Sequence, residues 1–346
     1  MEIKLLQNES DGKRWDDFVR ECVFSTFYHQ IGWKNIVEKS YQHKSYYLFA
    51  EENGQIIGIL PLFLVKDVLW GKRLISLPFA PYGGICSRNG DAIEGLLTDA
   101  RKLIVNLRAK YIELRYRAGD AVSARFTRNS QYITSLLKLS ADPEIIWRQM
   151  NQKRRNTIRK AYKYSLTAEI DEKDEGVENF YSLYAHNMRE LGTPVHSARF
   201  FREVKAEFPH SVRVIFVRYK GKIVASVFLL LFNNTIISAW AASLRDYLHC
   251  APNDLLYWES IKYGCERSFE YFDFGRSLRG SGSARFKKEW GAKEVNLEYC
   301  YMLSNTDKTP LINSSNIKYE RLSKIWRRLP LPLANRLGPM IRRSIV

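Results

Sequence analysis

Segments 47–65 and 214–232 of this chain are two copies of one β-hairpin. The first reads YLFAEENGQIIGILPLFLV and the second VIFVRYKGKIVASVFLLLF. At a constant offset of about 167 residues they share Phe49/Phe216, Gly54/Gly221, Ile56/Ile223, Leu62/Leu229 and Leu64/Leu231. An internal repeat constrains the fold more than any single residue, because each copy must nucleate the same kind of supersecondary unit. Two similar domains follow, and the expected place for a ligand is a cleft between them. The 346 residues, 45% of them hydrophobic and 13% aromatic, suffice for two cores, at ~100–200 residues per domain.

Both halves read in one order. In the first, short helices at Trp15–Val19 and Gly32–Lys39 precede strands Tyr46–Glu51 and Gln55–Val65, joined by the hairpin signal Asn53-Gly54. The loop LPFAPYGG (Leu77–Gly84), a helix from Asp91 to Arg108 with apolar residues at helical spacing, strand Tyr111–Tyr116 and a closing strand Tyr132–Leu139 follow. The second half opens at Asp142-Pro143, a capped helix start. A basic helix Lys153–Lys163 and helices Asn179–Leu191 and Ala198–Glu207 lead to the second hairpin, Val212–Tyr219 with Lys222–Phe232. Strand Thr235–Ser243, a helix from Asn253 to Phe269, strand Tyr271–Phe274 and the closing strand Glu294–Leu303 complete it. The domains are therefore expected at 1–140 and 141–304. A polar linker (305–316) and a basic, proline-punctuated tail (317–346) make up the remainder, 305–346.

Lys and Arg number 54 against 37 Asp and Glu, a net charge of +17 and a pI near 9.6. Such a field favours anionic partners: RNA, a phospholipid surface, or substrates bearing phosphate or diphosphate. Five cysteines, Cys22, Cys86, Cys250, Cys265 and Cys300, are dispersed with no close pair, which suits a reducing cytoplasm rather than a disulfide framework or a zinc knuckle. The start of the sequence lacks an apolar signal region, and the longest apolar stretch, Ile223–Phe232, falls short of the ~20 residues that span a bilayer. The expectation is a cytoplasmic protein, soluble or held at the inner face of the plasma membrane.

Helices, antiparallel strands, a crossing helix and further strands, in that order and twice over, resemble two tandem GNAT-like acyltransferase domains. The segments KRRNTIRKAYKYSL (Lys153–Leu166), LGTPVHSARFF (Leu191–Phe201), YFDFGRS (Tyr271–Ser277) and RFKKEWGA (Arg285–Ala292) resemble the FemAB-type transferases. With LPFAPYGG and the tail RLPLPLANRLGP they are most similar to the FemAB-like proteins associated with exosortase/PEP-CTERM systems and exopolysaccharide loci. The resemblance covers essentially the whole chain. It implies an α/β (α+β) fold with mixed, largely antiparallel sheets flanked by helices. It also implies transfer of an acyl or aminoacyl group to an amine of a cell-envelope or exopolysaccharide precursor. The donor is then aminoacyl-tRNA or acyl-CoA, with no tightly bound cofactor. The acceptor is a lipid-linked or nucleotide-linked sugar, and no DNA is expected as partner.

Candidate site residues follow from chemistry and from the motifs. Arg155, Arg159 and Lys163, at i, i+4 and i+8, share one helix face; like charges repel there, so either an external anion or plain solvent faces them. Asn156 resembles the asparagine of the family's R-N-x-I-R motif and serves equally to fix the helix. Asp273, at the end of a probable central strand, either orients a substrate or takes a proton, or caps the loop SLRGSGSARFKKEWG. That loop, with Arg276 and Arg285, is able to cradle an anion. Lys287 resembles the lysine of the family's F-K-x-x-[FW]-G motif, which implies a cation beside the acyl-transfer centre; otherwise it is a surface lysine beside Trp290. Tyr82 and Gly83 of PFAPYGG are the first half's acceptor contacts, or a plain tight loop. His196 is a weaker candidate base. No Walker loop, nucleophile triad, metal-ligand spacing or coenzyme A pyrophosphate loop is evident. The rivals are a coenzyme-A-dependent N-acyltransferase, a tRNA- or polyanion-binding protein of degenerate fold, and a peripheral membrane scaffold acting through the tail.

Overall fold

The computed structural model describes residues 1–67, 71–118, 126–171, 176–304 and 317–345; the linker read at 305–316 lies outside them. The first half runs β1 (Glu2–Leu5), α1 (Glu9–Glu21), α2 (Ile31–Tyr41), β2 (Lys44–Glu52), β3 (Gln55–Asp67), β4 (Gly71–Ile75), β5 (Cys86–Ser87), α3 (Gly90–Leu107), β6 (Tyr111–Arg117) and β7 (Thr127–Lys138). The second half runs α4 (Pro143–Gln149), α5 (Gln152–Lys163), β8 (Thr167–Asp171), α6 (Gly176–Leu191), α7 (Ala198–Glu207), β9 (Val212–Tyr219), β10 (Lys222–Phe232) and β11 (Thr235–Ser243). It continues through α8 (Pro252–Glu266), β12 (Tyr271–Asp273), β13 (Ser277–Leu278), α9 (Gly282–Lys288), β14 (Lys293–Leu303), α10 (Ile317–Trp326) and α11 (Leu331–Ser344).

The two hairpins match in their turns and in their irregularities. Asn53 and Gly54 take φ of 49° and 78°, Lys220 and Gly221 49° and 81°. Positive φ at both central residues is the turn whose twist suits antiparallel strands. Each hairpin carries a bulge at the same place. Ile57 is left out between Glu51↔Ile56 and Ala50↔Gly58, and Val224 between Arg218↔Ile223 and Val217↔Ala225. Ile57 and Val224 stand at the same offset of about 167 residues.

The described residues fall into two compact units, one drawn from Met1–Tyr132, Asn296–Ile312 and Ser344–Val346, the other from Ile133–Val295 and Asn313–Arg343. In the first, the strand order is β1-β2-β3-β4-β6-β14; in the second it is β8-β9-β10-β11-β12-β7. Both are mostly antiparallel, with one parallel pair each: β4 with β6, and β11 with β12. A parallel pair requires a crossover connection, which α3 and α8 supply. The fold is thus the mixed α/β arrangement of the sequence reading, with one difference. Tyr132–Leu139 is read as closing the first half and Glu294–Leu303 the second. Instead β14 pairs with β6 through Leu297–Leu303, while Leu136–Lys138 of β7 pair with β12. The period of a strand reports which face is buried and is silent about its partner.

Each unit has its own core. In the first, Leu60, Leu62 and Leu64 of β3 pack with Leu96 and Ile104 of α3 and with Cys300 and Met302 of β14. In the second, Val217, Val227 and Leu229 pack with Leu255 and Ile261 of α8. On the opposite face of that sheet Phe228 meets Phe180 and Phe201 of α6 and α7. The dispersed cysteines hold a surprise: Cys22 Sγ lies 2.8 Å from Cys86 Sγ, and that contact is the main reason the Cys22 thiol is lowered to about 7.

The tail is docked on the second unit. Gly338 of α11 is buried, and a Cβ there would lie 2.9 Å from both the Val195 backbone nitrogen and its side chain. Arg342 Nε donates to His196 Nε2 at 3.2 Å, and His196 stacks on Phe200 with centroids 4.4 Å apart. Burial, then the Arg342 charge, holds His196 well below the usual imidazole range. It is a neutral acceptor that anchors the tail, which removes it as a candidate base. In the first unit His29 is also buried, its pKa pushed down to about 4. As pH falls below ~6.5 the unfolded chain takes up protons that these two imidazoles refuse, so stability is lost on acidification. Melting temperature is expected to decline between pH 7 and pH 5, and His196→Phe to flatten that decline; an identical slope in the variant would refute the assignment.

Candidate active site

In the second unit the site is built where the parallel pair ends. β11 and β12 are paired over three rungs only, Thr235↔Tyr271, Ile236↔Phe272 and Ile237↔Asp273. Beyond them β11 runs on to Ser243 while the other chain turns away. β11 is bulged there: Leu229 pairs with Ser238 and Phe228 with Trp240, so Ala239 is left out. The rungs of β3 with β4, Phe63↔Ile75 to Asp67↔Gly71, step evenly with no such shift. Bulges re-aim backbone and side chains beside sites, and here one faces the turn after β12. Gly275, at φ 74°, makes that turn, and a Cβ on it would stand 2.9 Å from Ser238 O. Only glycine lets the backbones come this close.

Asp273 and Lys287 hold the turn from both sides. Asp273 is fully buried; its Oδ1 accepts from Gly275 N at 2.8 Å and from Thr134 Oγ1. The carboxylate therefore caps the turn and positions it. Lys287 comes from α9, whose N-terminus is capped by Ser281 accepting from Ala284 N at 3.2 Å. Its Nζ donates to Gly275 O at 2.7 Å and to Arg276 O at 3.2 Å. Burial pushes the Lys287 ammonium down to about 8, against the pull of Asp273 and with the push of Arg276. An ammonium has three donors, so two bonds to carbonyls leave one N–H for a ligand oxygen. Lys287 is thus a buried cation built into the site.

A residue the sequence reading passed over supports this region. Arg154, inside the basic run, is buried. Its guanidinium lies 4.6 Å from the Phe286 ring centroid and 4.9 Å from that of Trp290. It pairs with Asp254 and, at 2.6 Å, with Glu289. Arg154 so ties α5 to the start of α8 and the end of α9. Burial raises the Asp254 carboxyl even though Arg154 opposes it. Tyr257 of α8 shares a hydrogen bond with the Ser238 side chain and lies against Phe274 and Phe286. The absence of any nearby acid in the sequence of the basic run hid Arg154, because its partners arrive from α8 and α9.

The remaining candidates divide by placement. Arg155 is committed to its own framework: its guanidinium donates to Arg148 O at 3.0 Å, Trp147 O at 3.4 Å and Gln152 Oε1 at 2.7 Å. It serves to close α4. Asn156 and Arg159 are exposed and bonded to each other at 3.2 Å, with Arg159 over the Trp147 ring. Arg276 and Arg285 are exposed, on the turn and on α9. A separate cavity of about 460 Å³, lined by His186, Glu190, Lys222, Arg245 and Tyr247 among others, includes none of the candidates. Among the described residues no group of three or more His, Cys, Asp or Glu is placed to hold a metal ion.

In the first unit the PFAPYGG loop is heavily restrained. Trp33 Nε1 donates to Pro78 O at 3.2 Å, Arg115 Nη1 to Ala80 O at 2.9 Å and Tyr299 Oη to Pro81 O at 3.3 Å. Gly83 N donates to Arg115 O at 2.9 Å, and His29 Nε2 bonds Gly84 O at 3.1 Å. Leu77, Phe79 and Gly83 all have positive φ, 46°, 67° and 138°. Such strain persists only where surroundings over-determine it. Tyr82 is buried, edge-on to Tyr28, with Arg117 5.0 Å from its ring centroid. The loop therefore presents a fixed backbone, and the Tyr82 ring is part of the packing beneath it.

Comparison with known proteins bears on the fold of this region. Residues 148–288, which contain α5, the bulged β11, the turn and Lys287, match the acetyltransferase (GNAT) domain family. No curated protein matches by sequence. FemX is similar in structure, with TM-score 0.67 and 14% identity over 88% of this chain and 98% of its own. The C-terminal domain of a putative lysylphosphatidylglycerol synthetase from Agrobacterium fabrum gives 0.59 and 13%, over 86% and 93%. A tandem GNAT protein from the clavulanic acid biosynthesis pathway gives 0.58 and 12%, over 89% and 99%. At these identities the likeness is one of fold.

The restrained loop yields a direct test. A Cβ on Gly83 would lie 2.3 Å from Leu77 Cδ1, at a φ that L-residues rarely adopt. Gly83→Ala is expected to destabilise the first unit by about 2–4 kcal/mol, measured as a lower urea midpoint; a midpoint within experimental error of wild type would contradict this reading of the loop.

Proposed function

We propose that this chain transfers an acyl or aminoacyl group from a carrier to an amine, with the reacting centre at the turn after β12. The observation that carries the reading is Lys287: a buried ammonium, fixed by two carbonyls, beside a bulged strand within the segment that matches GNAT domains. Attack of an amine on an ester or thioester carbonyl builds negative charge on the carbonyl oxygen. A prepositioned cation in a low-dielectric site stabilises that charge, by a few kcal/mol when well placed. The third N–H of Lys287 is the donor for it. Asp273 holds the turn and the lysine in register, and water or substrate removes the proton from the attacking amine. Exposed Arg159, Arg276 and Arg285 supply cations for phosphate groups of the substrates.

For the donor, the α8 N-terminus is informative. A helix start with free N–H groups attracts a pyrophosphate. Here Pro252 supplies no N–H, and Asp254 brings a buried carboxylate into the first turn. This helix start lacks one N–H and its first-turn carboxylate is held by Arg154, so it is a poor seat for a coenzyme A pyrophosphate, which leaves aminoacyl-tRNA as the preferred donor. The similarity to FemX, and to a synthetase whose name joins lysine to a phospholipid, supports the same choice. For the acceptor, the resemblance to exopolysaccharide-associated proteins and the net charge of +17 support an amino group on a lipid-linked or nucleotide-linked sugar precursor.

Two measurements test this. Transfer of labelled amino acid from a mixed aminoacyl-tRNA pool to extracted lipid-linked precursors is expected, and efficient transfer from acetyl-CoA instead would replace the donor. Lys287→Met is expected to lower kcat/KM about 100-fold, the loss typical of removing one oxyanion donor. The ammonium form is the active one and is lost as pH rises through about 8. The wild-type rate should therefore fall above pH 8, and Lys287→Arg should keep its residual rate flat there. A rate that climbs through pH 8 would mean that Lys287 works as a base.

A further inference from the structure

We infer that the outer face of the C-terminal helix pair is a docking surface for an anionic phospholipid membrane. From Arg321 to Val346 the chain carries seven basic residues and no acidic one. The inward side of the pair is accounted for. Trp326, Ala334 and Gly338 are buried, Ser323 and Arg327 reach towards Leu191 O at 3.5 Å, and Arg189 Nη1 donates to Leu329 O at 3.4 Å. The outward side is apolar to a degree that this docking does not explain. Leu322 and Ile325 of α10 are 64% and 60% exposed, and Leu333, Met340 and Ile341 of α11 are 42%, 68% and 38% exposed.

These exposed side chains form stripes. Leu322 and Ile325 are i, i+3; Leu333, Met340 and Ile341 are i, i+7 and i+8, one face of a helix. Alongside them stand the exposed Lys324 on α10, Arg328 just after it, and Arg336 and Arg343 on α11. Apolar residues beside arginines, on short helices, is the composition of an element that lies in the interface plane of a membrane. Anionic lipid adds an electrostatic attraction for each nearby basic side chain. Among the described residues no helix is long and apolar enough to cross a membrane, so contact is with the surface.

Other occupants fit less well. A second copy of the chain, paired about a two-fold axis, would set this positive stripe against itself. RNA would satisfy the arginines and leave the isoleucine, leucine and methionine side chains in water. A lipid surface satisfies both. The inference deepens the proposed function, since a lipid-linked acceptor is met at such a surface. The binding is nevertheless measured without donor or acceptor, so it stands or falls apart from the transfer reaction.

The experiment is co-sedimentation of the full chain with phosphatidylcholine vesicles, with and without about a third phosphatidylglycerol. The wild type is expected in the pellet with anionic vesicles and in the supernatant with neutral ones. The triple variant Leu322→Ser, Ile325→Ser, Met340→Ser changes only exposed side chains and is expected to bind at least about tenfold more weakly. Lys324→Gln with Arg328→Gln and Arg336→Gln should weaken binding and remove most of its salt dependence. A matching melting temperature for both variants shows that the fold is kept. Three results would overturn the inference: wild type left in the supernatant with anionic vesicles, undiminished binding by the serine variant, or release of bound protein by RNA with no effect of the serine changes. A concentration-dependent dimer in sedimentation velocity, abolished by the serine changes and present in place of lipid binding, would assign the face to self-association instead.

Discussion

The parallel contacts set the plan of this protein. Hairpins and meanders close with two-residue turns, whereas two parallel neighbours need a helix to carry the chain back across the sheet. β4 and β6 are joined that way by α3, and β11 and β12 by α8. The crossover has a local consequence in the second unit. Once the three rungs from Thr235 to Ile237 are used, the strands part, and their backbones would expose unpaired groups. The bulge at Ala239, the left-handed Gly275 and the carboxylate of Asp273 take up that demand. Lys287 completes it by binding the carbonyls of Gly275 and Arg276. The proposed chemistry and the backbone's satisfaction thus rest on the same few groups.

The same economy explains why Lys287 is cationic in a buried place. An isolated buried ammonium is costly, and burial accordingly lowers its pKa. Two carbonyl partners and the Asp273 charge hold it in the charged form near neutrality. Asp273 is thereby both the cap of the turn and the electrostatic counterweight of the lysine. Arg154 applies the same logic, paired with two carboxylates and set against two aromatic rings.

Much of this was legible in the sequence wherever chemistry is local. The Asn53-Gly54 turn, the repeated Phe, Gly, Ile and Leu of the hairpins, and the capping Asp142-Pro143 act within a few residues, and their elements stand where the spacing put them. Lys287 stands in a motif whose neighbours are also local. What escaped the reading depends on distant parts. Arg154 looked like one more solvated charge because Asp254 and Glu289 are 100 and 135 residues away. The meeting of Cys22 with Cys86 spans 64 residues. Alternation along β7 and β14 marks their buried faces and leaves open which strand each will join. The spacing on α5 makes Arg155, Arg159 and Lys163 look equivalent, whereas Arg155 is spent on the carbonyls that end α4.

The exchange of closing strands bears on how the molecule is made. Synthesis from the N-terminus releases β1 to β6 long before β14 exists, so the older half waits with one edge of its sheet open. The newer half, by contrast, finds its closing strand already present in β7. On the ribosome the sheet of the second unit is able to close first, and that of the first closes last, when residues 297–303 emerge to pair with β6. Until then its exposed edge is a template for mispairing. The order of the two halves along the chain and the order in which their sheets close are, in this protein, opposite.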